Sequence, residues 1–182
     1  TQALADKGIK VVSVTPAMRQ ARRTKTPDEI NCQKVAVNIS NAGYAEFCRR
    51  ARPGMRECDL GGASINAIWQ AGAEAAVATP RSGPFSFEVT HITNTDRIIE
   101  PGDLVYMNVC STTFMGYKVC IYRSFIIGRK PNAKEQDWYK KVHDRVYSVI
   151  EEIKPGATTA DAAKHFLPAS HCLVVLPVTK SF

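Results

Sequence analysis

The sequence lacks any apolar run that approaches the roughly 20 residues needed to span a bilayer. Its first residues also lack the charged-then-apolar layout of a secretory signal peptide. These two absences predict no membrane partner and a cytoplasmic location. The composition is not extreme, since 45% of the residues are apolar, 23% are charged and 8% are aromatic. Such a balance excludes a disordered or collagen-like chain and predicts a folded globular domain.

None of the six cysteines forms a CxxC pair or has zinc-finger spacing, which excludes the familiar structural zinc sites. Without a signal peptide, the thiols are expected to be reduced. Cys110 and Cys120 flank a predicted hairpin, where they could form either a disulfide or a pair of packed thiols. Two free thiols are the expectation.

Positive charge exceeds negative charge, but it is not concentrated in a recognisable nucleic-acid-binding motif. Lys and Arg number 24 against 17 Asp and Glu, a formal net charge of +7. The basic clusters at residues 19–25 and 49–56 are not interleaved with aromatic residues and match no nucleic-acid-reading motif. Both lie at predicted helix boundaries, where basic side chains favour the helix end or stay solvated. No nucleic-acid partner is predicted.

The chain has no initiator Met, and an apolar stretch from Cys172 to Val178 lies close to its last residue. Both ends are therefore expected to be cuts in a longer sequence.

Capping signals and hydrophobic spacing predict two helices in the first part of the chain. Thr26, Pro27 and Glu29 form a capping-box pattern, and Pro53-Gly54 ends the helix that it begins. A second helix is predicted over residues 57–70. The buried face of the first helix is expected to carry Ile30, Val37, Tyr44 and Phe47.

Alternating apolar residues predict a strand-rich centre, and helices follow it. Pro80, Gly83 and Pro84 indicate a loop before the first central strand. Further helices are predicted from Asn132 to Ile153 and after Thr158. Strands are expected over residues 8–14, 85–92, 104–110 and 119–127.

A short internal sequence repeat occurs in the two helical parts of the chain. Arg52-Pro53-Gly54-Met55, followed by Asp59-Leu60, is echoed by Lys154-Pro155-Gly156-Ala157, followed by Asp161-Ala162. Each copy lies between a long helix and a shorter one. This pattern predicts a duplicated unit of which the second copy lacks its sheet, although a Pro-Gly helix stop is common enough to arise by chance.

Four ordered stretches resemble the pita-bread fold of the creatinase and aminopeptidase P family, which includes Xaa-Pro dipeptidases and methionine aminopeptidases. They are residues 22–30 (RRTKTPDEI), 90–97 (THITNTDR), 100–105 (EPGDLV) and 116–126, which begins Gly116-Tyr117 and holds Arg123-Ser124-Phe125. The resemblance implies an α+β fold with helices packed on one face of a mainly antiparallel sheet, truncated so that its second half is incomplete. It implies that residues 1–21 end an N-terminal domain and linker, and that residues 22–182 form an incomplete catalytic-type domain.

The family's peptidases hold two divalent metals, such as manganese, cobalt or zinc, between carboxylates and a His. The resemblance places Asn108 and Cys120 where two of the aspartate ligands would stand, with the remaining His and two Glu in the second half of the fold. A neutral amide and a lone thiol are poor ligands for hard cations. No metal cofactor is therefore expected. Counting back from Gly116 instead of forward from Gly102 displaces the first position by one, so the hairpin is expected to carry one extra residue.

His91 corresponds to a His that orients substrate or transfers protons in the family and resembles the general base of the metal-independent creatinases. Its ordinary pKa near neutrality suits that role. The alternative is a hydrogen-bonded strand residue without catalytic function. Creatinases also have Asn at the position of Asn108, but Tyr122 stands where they carry a carboxylate.

These observations leave two kinds of function open. One is a metal-independent, creatinase-like or Xaa-Pro peptidase-like hydrolase that cleaves C–N bonds, amidino or peptide, in a small-molecule or peptide substrate. The other is a catalytically inactive pita-bread module for binding or dimerisation, or a truncated fragment. The family resemblance implies a homodimer in either case.

Overall fold

The computed structural model describes residues 2–86 and 95–166 of the chain. The chain divides into two compact units, Thr1–Arg129 and Lys130–Phe182. The first unit contains α1 (Gln2–Ala5), α2 (Thr15–Ala21), α3 (Pro27–Arg50), α4 (Glu57–Gln70), β1 (Ala75–Ser82), a 3-10 turn (Gly83–Phe85), β2 (Leu104–Phe114) and β3 (Tyr117–Ile126). The second contains α5 (Ala133–Glu152) and α6 (Thr159–Ala163).

Helix α3 begins at the predicted capping box. Thr26 Oγ1 accepts a hydrogen bond from the Glu29 amide at 3.3 Å, and Glu29 Oε2 accepts one from the Thr26 amide at 2.7 Å. Tyr44 and Phe47 are buried as predicted, but Ile30 and Val37 are exposed. The buried stripe instead includes the small residues Ala36, Ser40 and Gly43, which the apolar spacing did not indicate.

The three strands form one antiparallel sheet in the order β1-β2-β3. Its buried face carries Val105, Met107 and Val109 of β2, each fully buried. These residues form one core with Phe47 of α3 and with α4 residues Leu60 and Ile68. The predicted arrangement of helices on one face of an antiparallel sheet is therefore confirmed for this unit.

Tyr44 fixes α3 against the sheet with a hydrogen bond as well as by packing. Its hydroxyl lies 2.8 Å from the Ile121 carbonyl oxygen and 3.1 Å from that of Met107, and it donates toward these two carbonyls. Phe125 packs on Phe47 with 4.8 Å between ring centroids, and Arg123 lies over the Tyr44 ring. Helix α3 thus packs against both β2 and β3.

Two local predictions are wrong. Residues 9–14 form no strand and are exposed, and the segment predicted as a loop around Pro80 is strand β1. Proline lacks the amide that a central strand needs, so it is a loop signal, but β1 lies at the edge of the sheet that the described residues form, where proline is tolerated. The strand predicted over residues 85–92 lies largely outside the described residues, and its first residue, Phe85, ends the 3-10 turn.

The predicted extra residue of the hairpin is present as a β-bulge. Val109 pairs with Ile121 and Thr112 pairs with Val119, so β2 has one residue more than β3 between these pairs. Ser111 lies in the bulge with a positive φ of 56°. The bulge follows Asn108 along the chain, which explains why counting backward from Gly116 gives a position one residue later.

The second unit repeats the helix-turn-helix pattern of the first. Asn132 and Glu135 form a capping box at the start of α5, and Thr158 and Asp161 form one at α6. Gly54 and Gly156, the glycines of the two Pro-Gly stops, have nearly equal φ angles of 89° and 91°. Among the residues described, no helix combines the length and apolarity needed to cross a membrane. The domain assignment of residues 1–21 stays a prediction.

Candidate functional site

The face of the sheet opposite α3 and α4 carries four residues discussed from the sequence, Asn108, Cys110, Cys120 and Tyr122. We call it the open face. The strand register places its residues in three rows, which are Arg81, Tyr106 and Ser124; Thr79, Asn108 and Tyr122; and Val77, Cys110 and Cys120. Asn108 and Cys120 therefore lie on one face in adjacent rows, as strand periodicity requires.

Cys110 and Cys120 form a disulfide, with 4.1 Å between their Cα atoms. The expectation of two free thiols is thus wrong in this structure. The two cysteines do face each other across the hairpin, as the sequence suggested, but they are bonded and not free. Cys32, Cys48 and Cys58 are free.

Asn108 and Cys120, which the sequence resemblance places at two metal-binding positions, carry no anionic donor. Asn108 is half-buried, and its Oδ1 is a neutral acceptor that has no hydrogen-bond partner among residues 2–86 and 95–166. Cys120 is consumed in the disulfide and offers no thiolate. Among the residues described, no group of three His, Cys, Asp or Glu side chains could hold a metal ion. The donors at these two positions do not fit a pair of hard divalent cations.

Two tyrosines border the site. The Tyr106 and Tyr122 rings stack with 5.6 Å between centroids and an interplanar angle of 15°. Burial is the main cause that raises the pKa of Tyr106, and the neighbouring Tyr122 raises it further. Tyr106 is therefore a neutral hydroxyl at physiological pH, and Tyr122 is 43% exposed at the edge of the face.

Arg81 is a site residue that the sequence interpretation missed. It lies on β1 and is only 7% exposed, and its Nε and Nη1 atoms have no hydrogen-bond partner in the described part of the chain. It was overlooked because the segment around Pro80 was predicted to be a loop. The alternation of Thr79 and Arg81 with Ala78 and Pro80 is the signal that could have identified it.

A buried polar network lies beside the site. Glu57 of α4 is 1% exposed, and its Oε1 accepts hydrogen bonds of 2.6 Å from both the amide and the hydroxyl of Ser82. Its Oε2 accepts a 2.5 Å hydrogen bond from the Thr95 hydroxyl. Ser82 precedes residues 87–94 and Thr95 follows them, so one carboxylate binds residues on both sides of that segment.

Arg97 and Asp103 extend this network. Arg97 Nη1 lies 2.6 Å from Asp103 Oδ2, which also accepts a hydrogen bond from the Glu100 amide at 2.9 Å. Burial alone would raise the pKa of Asp103, but the Arg97 and Glu100 hydrogen bonds outweigh it and lower the pKa. The hydrogen bond to Asp103 likewise raises the pKa of Arg97. The pair is therefore ionised at neutral pH.

His91, the predicted proton-transfer residue, lies outside the described residues. Its role stays a prediction.

A three-stranded antiparallel sheet backed by two helices, with a long helix and a Pro-Gly turn repeated after it, defines the front part of a pita-bread α+β domain. The chain belongs to metallopeptidase family M24, whose sequence pattern matches residues 31–167.

Curated proteins and solved structures resemble this chain in sequence or in fold. A probable dipeptidase PepE from Mycobacterium bovis is 29% identical over 159 residues, which cover 86% of this chain and 42% of the dipeptidase. A prolidase structure from Pyrococcus furiosus has a TM-score of 0.76 at 25% identity, covering 84% of this chain and 45% of the prolidase. The dipeptidase PepE structure from Mycobacterium ulcerans has a TM-score of 0.79 at 24% identity, covering 90% and 44%. The chain spans less than half the length of these relatives.

Proposed function

We propose that this chain forms the front part of a hydrolase that cleaves C–N bonds in peptides or small amidino compounds without a two-metal centre. Membership of family M24 and the names of its relatives, dipeptidase and prolidase, support the reaction class. The observation that carries metal independence is the pair of uncharged groups, Asn108 and the disulfide-bonded Cys120, at the two acid positions.

In the proposed reaction, His91 removes a proton from the attacking water. The water oxygen bonds to the substrate carbon, the C–N bond breaks, and the proton passes from His91 to the departing nitrogen. Glu57 supports this role because it accepts hydrogen bonds from Ser82 and Thr95, which lie on either side of residues 87–94 in the sequence.

The test uses this chain and, in parallel, the complete reading frame that contains it. Xaa-Pro dipeptides, N-acyl amino acids and amidino acids are assayed with and without a strong chelator. We expect His91→Ala to reduce kcat by about 100- to 10,000-fold, the usual contribution of a general acid-base. His143→Ala is the matched control, because His143 is an exposed helical histidine on α5.

Unchanged turnover by His91→Ala removes that residue from the mechanism. Loss of wild-type turnover upon chelation, restored by manganese, cobalt or zinc, contradicts metal independence.

A second candidate function is a non-catalytic module that associates with a second copy of this chain. The exposed apolar face of α5 favours it, because Trp138, Val142, Val146, Ile150 and Ile153 are each more than half exposed. Failure of the wild-type chain and of the complete reading frame to turn over any substrate favours this candidate.

A further inference from the structure

Arg81 is a buried arginine to which the described residues offer no counter-charge. Its side chain makes no ion pair or hydrogen bond within residues 2–86 and 95–166, although the residue is only 7% exposed. Arginine is rarely buried unless it is paired, since a guanidinium that leaves water loses its hydration. A negatively charged group beside the guanidinium would compensate for this loss of hydration.

Asn108, one row away, has an unsatisfied hydrogen-bond acceptor that complements the unsatisfied donors of Arg81. Its Oδ1 is buried and accepts no hydrogen bond from the residues that the structure describes. Arg81 pairs with Tyr106, and Thr79 pairs with Asn108, so Arg81 and Asn108 are diagonal neighbours on the open face. Diagonal neighbours are about 7 to 8 Å apart, within reach of one small molecule. The open face therefore presents a cationic donor and a neutral acceptor that both lack partners.

The geometry points to a carboxylate-binding subsite on the open face, in which Arg81 binds the carboxylate and Asn108 Oδ1 accepts an N–H from the same molecule. The planar guanidinium fork matches a carboxylate with two parallel hydrogen bonds. An unpartnered acceptor selects a ligand that carries a donor near its carboxylate. The ligand class is thus an N-acyl amino acid or the carboxyl-terminal residue of a short peptide.

Exposed residues border this pair on the open face. Ser124, in the row of Arg81, is exposed, and Tyr122, in the row of Asn108, is 43% exposed. The stacked rings of Tyr106 and Tyr122 offer an apolar wall beside the charged group. Use of this subsite in catalysis rests on the proposed function, but the binding itself does not.

Thermal unfolding and calorimetric titration of the chain with N-acetylglycine test the subsite. N-acetylglycinamide, which keeps the N–H but lacks the charge, is the matched ligand. At 100-fold excess over Kd, the acid is expected to raise Tm by about 5 to 10 °C, and the amide is not. Arg81→Met is expected to weaken binding by about 10- to 100-fold.

Lys118→Met is the control variant, because it removes an exposed positive charge from β3 outside the three rows. It should bind N-acetylglycine like the wild type. If Arg81→Met does not fold, Arg81→Lys keeps the charge without the planar fork and is expected to bind at least 10-fold more weakly. Calorimetry and thermal unfolding detect binding of N-acetylglycine without turnover, which separates failure of the subsite from failure of the proposed hydrolysis.

Equal responses to the acid and the amide, or no response to either, overturn the subsite. Glu88, outside the described residues, provides a further contrast. If N-acetylglycine binds only after Glu88→Gln, the chain itself supplies the counter-charge of Arg81, and the subsite is also overturned.

Discussion

At the scale of single residues, burial separates two arginine-aspartate pairs that look alike in the sequence. Arg56 and Asp59 are close in the chain and form two hydrogen bonds, but both side chains are about half exposed. Arg97 and Asp103 have side chains that are 22% and 11% exposed and share further hydrogen bonds with Ser82 and the Glu100 amide. Exposed pairs contribute little, whereas removal of one partner from a buried pair leaves an uncompensated charge.

Asp103→Asn is accordingly expected to lower the free energy of unfolding by about 2 to 4 kcal/mol at pH 7. The pKa of Asp103 is lower in the folded than in the unfolded chain. Its contribution is thus complete above the unfolded pKa of about 3.9 and disappears as the pH falls through the lower folded value. Urea unfolding between pH 7 and pH 3 should show the wild type and the variant converging at the acid end.

Asp59→Asn is the matched control at the exposed pair and should cause a much smaller change. Equal losses for the two variants would contradict the assignment of Arg97 and Asp103 as a buried pair.

The polar residues of the open face show what residue-level interpretation could and could not predict. Asn108 was identified because a short ordered motif, Gly102-Asp103-Leu104-Val105, fixes its place along one strand. Arg81 was missed because its environment depends on pairing between β1 and β2, which are separated by more than 20 residues. Burial of a charged side chain is a property of tertiary packing and has no local signal.

At the scale of elements, helix starts were predicted well because capping is local. Thr26 with Glu29 and Asn132 with Glu135 close their hydrogen bonds within four residues. The strand β1 and the bulge at Ser111 were not placed from the sequence, since both depend on which strand lies alongside. The sequence indicated the extra residue, and only the pairing shows that it falls after Asn108.

The contact between α3 and α4 depends on Gly43. A Cβ at this position would lie 2.6 Å from two side-chain carbons of Ile68, which is fully buried, and 3.3 Å from the Ser64 carbonyl oxygen. The small residue lets the two helices approach closely, and the Ile68 side chain has no solvent-filled space to enter. Close helix packing therefore explains why the buried stripe of α3 contains Gly43 among its larger residues.

Gly43→Ala is expected to destabilise the chain by about 1 to 3 kcal/mol, because overpacking a dense core forces its neighbours apart. Gly62→Ala, on α4, is the matched substitution with nothing within 4 Å of the added Cβ. It should stabilise by about 0.5 to 1 kcal/mol through helix propensity. Opposite signs of the two changes in urea unfolding are the expected result, and a stabilising Gly43→Ala would refute close packing at this contact.

At the scale of the whole molecule, the two units differ in how they bury apolar residues. The first unit has a continuous core between its helices and sheet. Within the described part of the second unit, α5 has no buried residue, and its apolar residues recur on one face. A groove of about 380 Å³ on this unit is lined by Val142, Arg145, Val146, Val149, Ile150 and Phe166. Exposed apolar patches of this kind commonly mark interaction surfaces.

Association through this face is the last expectation. If a second copy of the chain covers the groove, sedimentation velocity should show a concentration-dependent dimer, and Val146→Glu should shift it to monomer by placing a charge in an apolar contact. Ala133→Glu adds the same charge at the first residue of α5, where a carboxylate favours the helix dipole, and should leave the dimer intact. A wild-type chain that stays monomeric at all concentrations, or a dimer unaffected by Val146→Glu, would show that α5 does not mediate self-association.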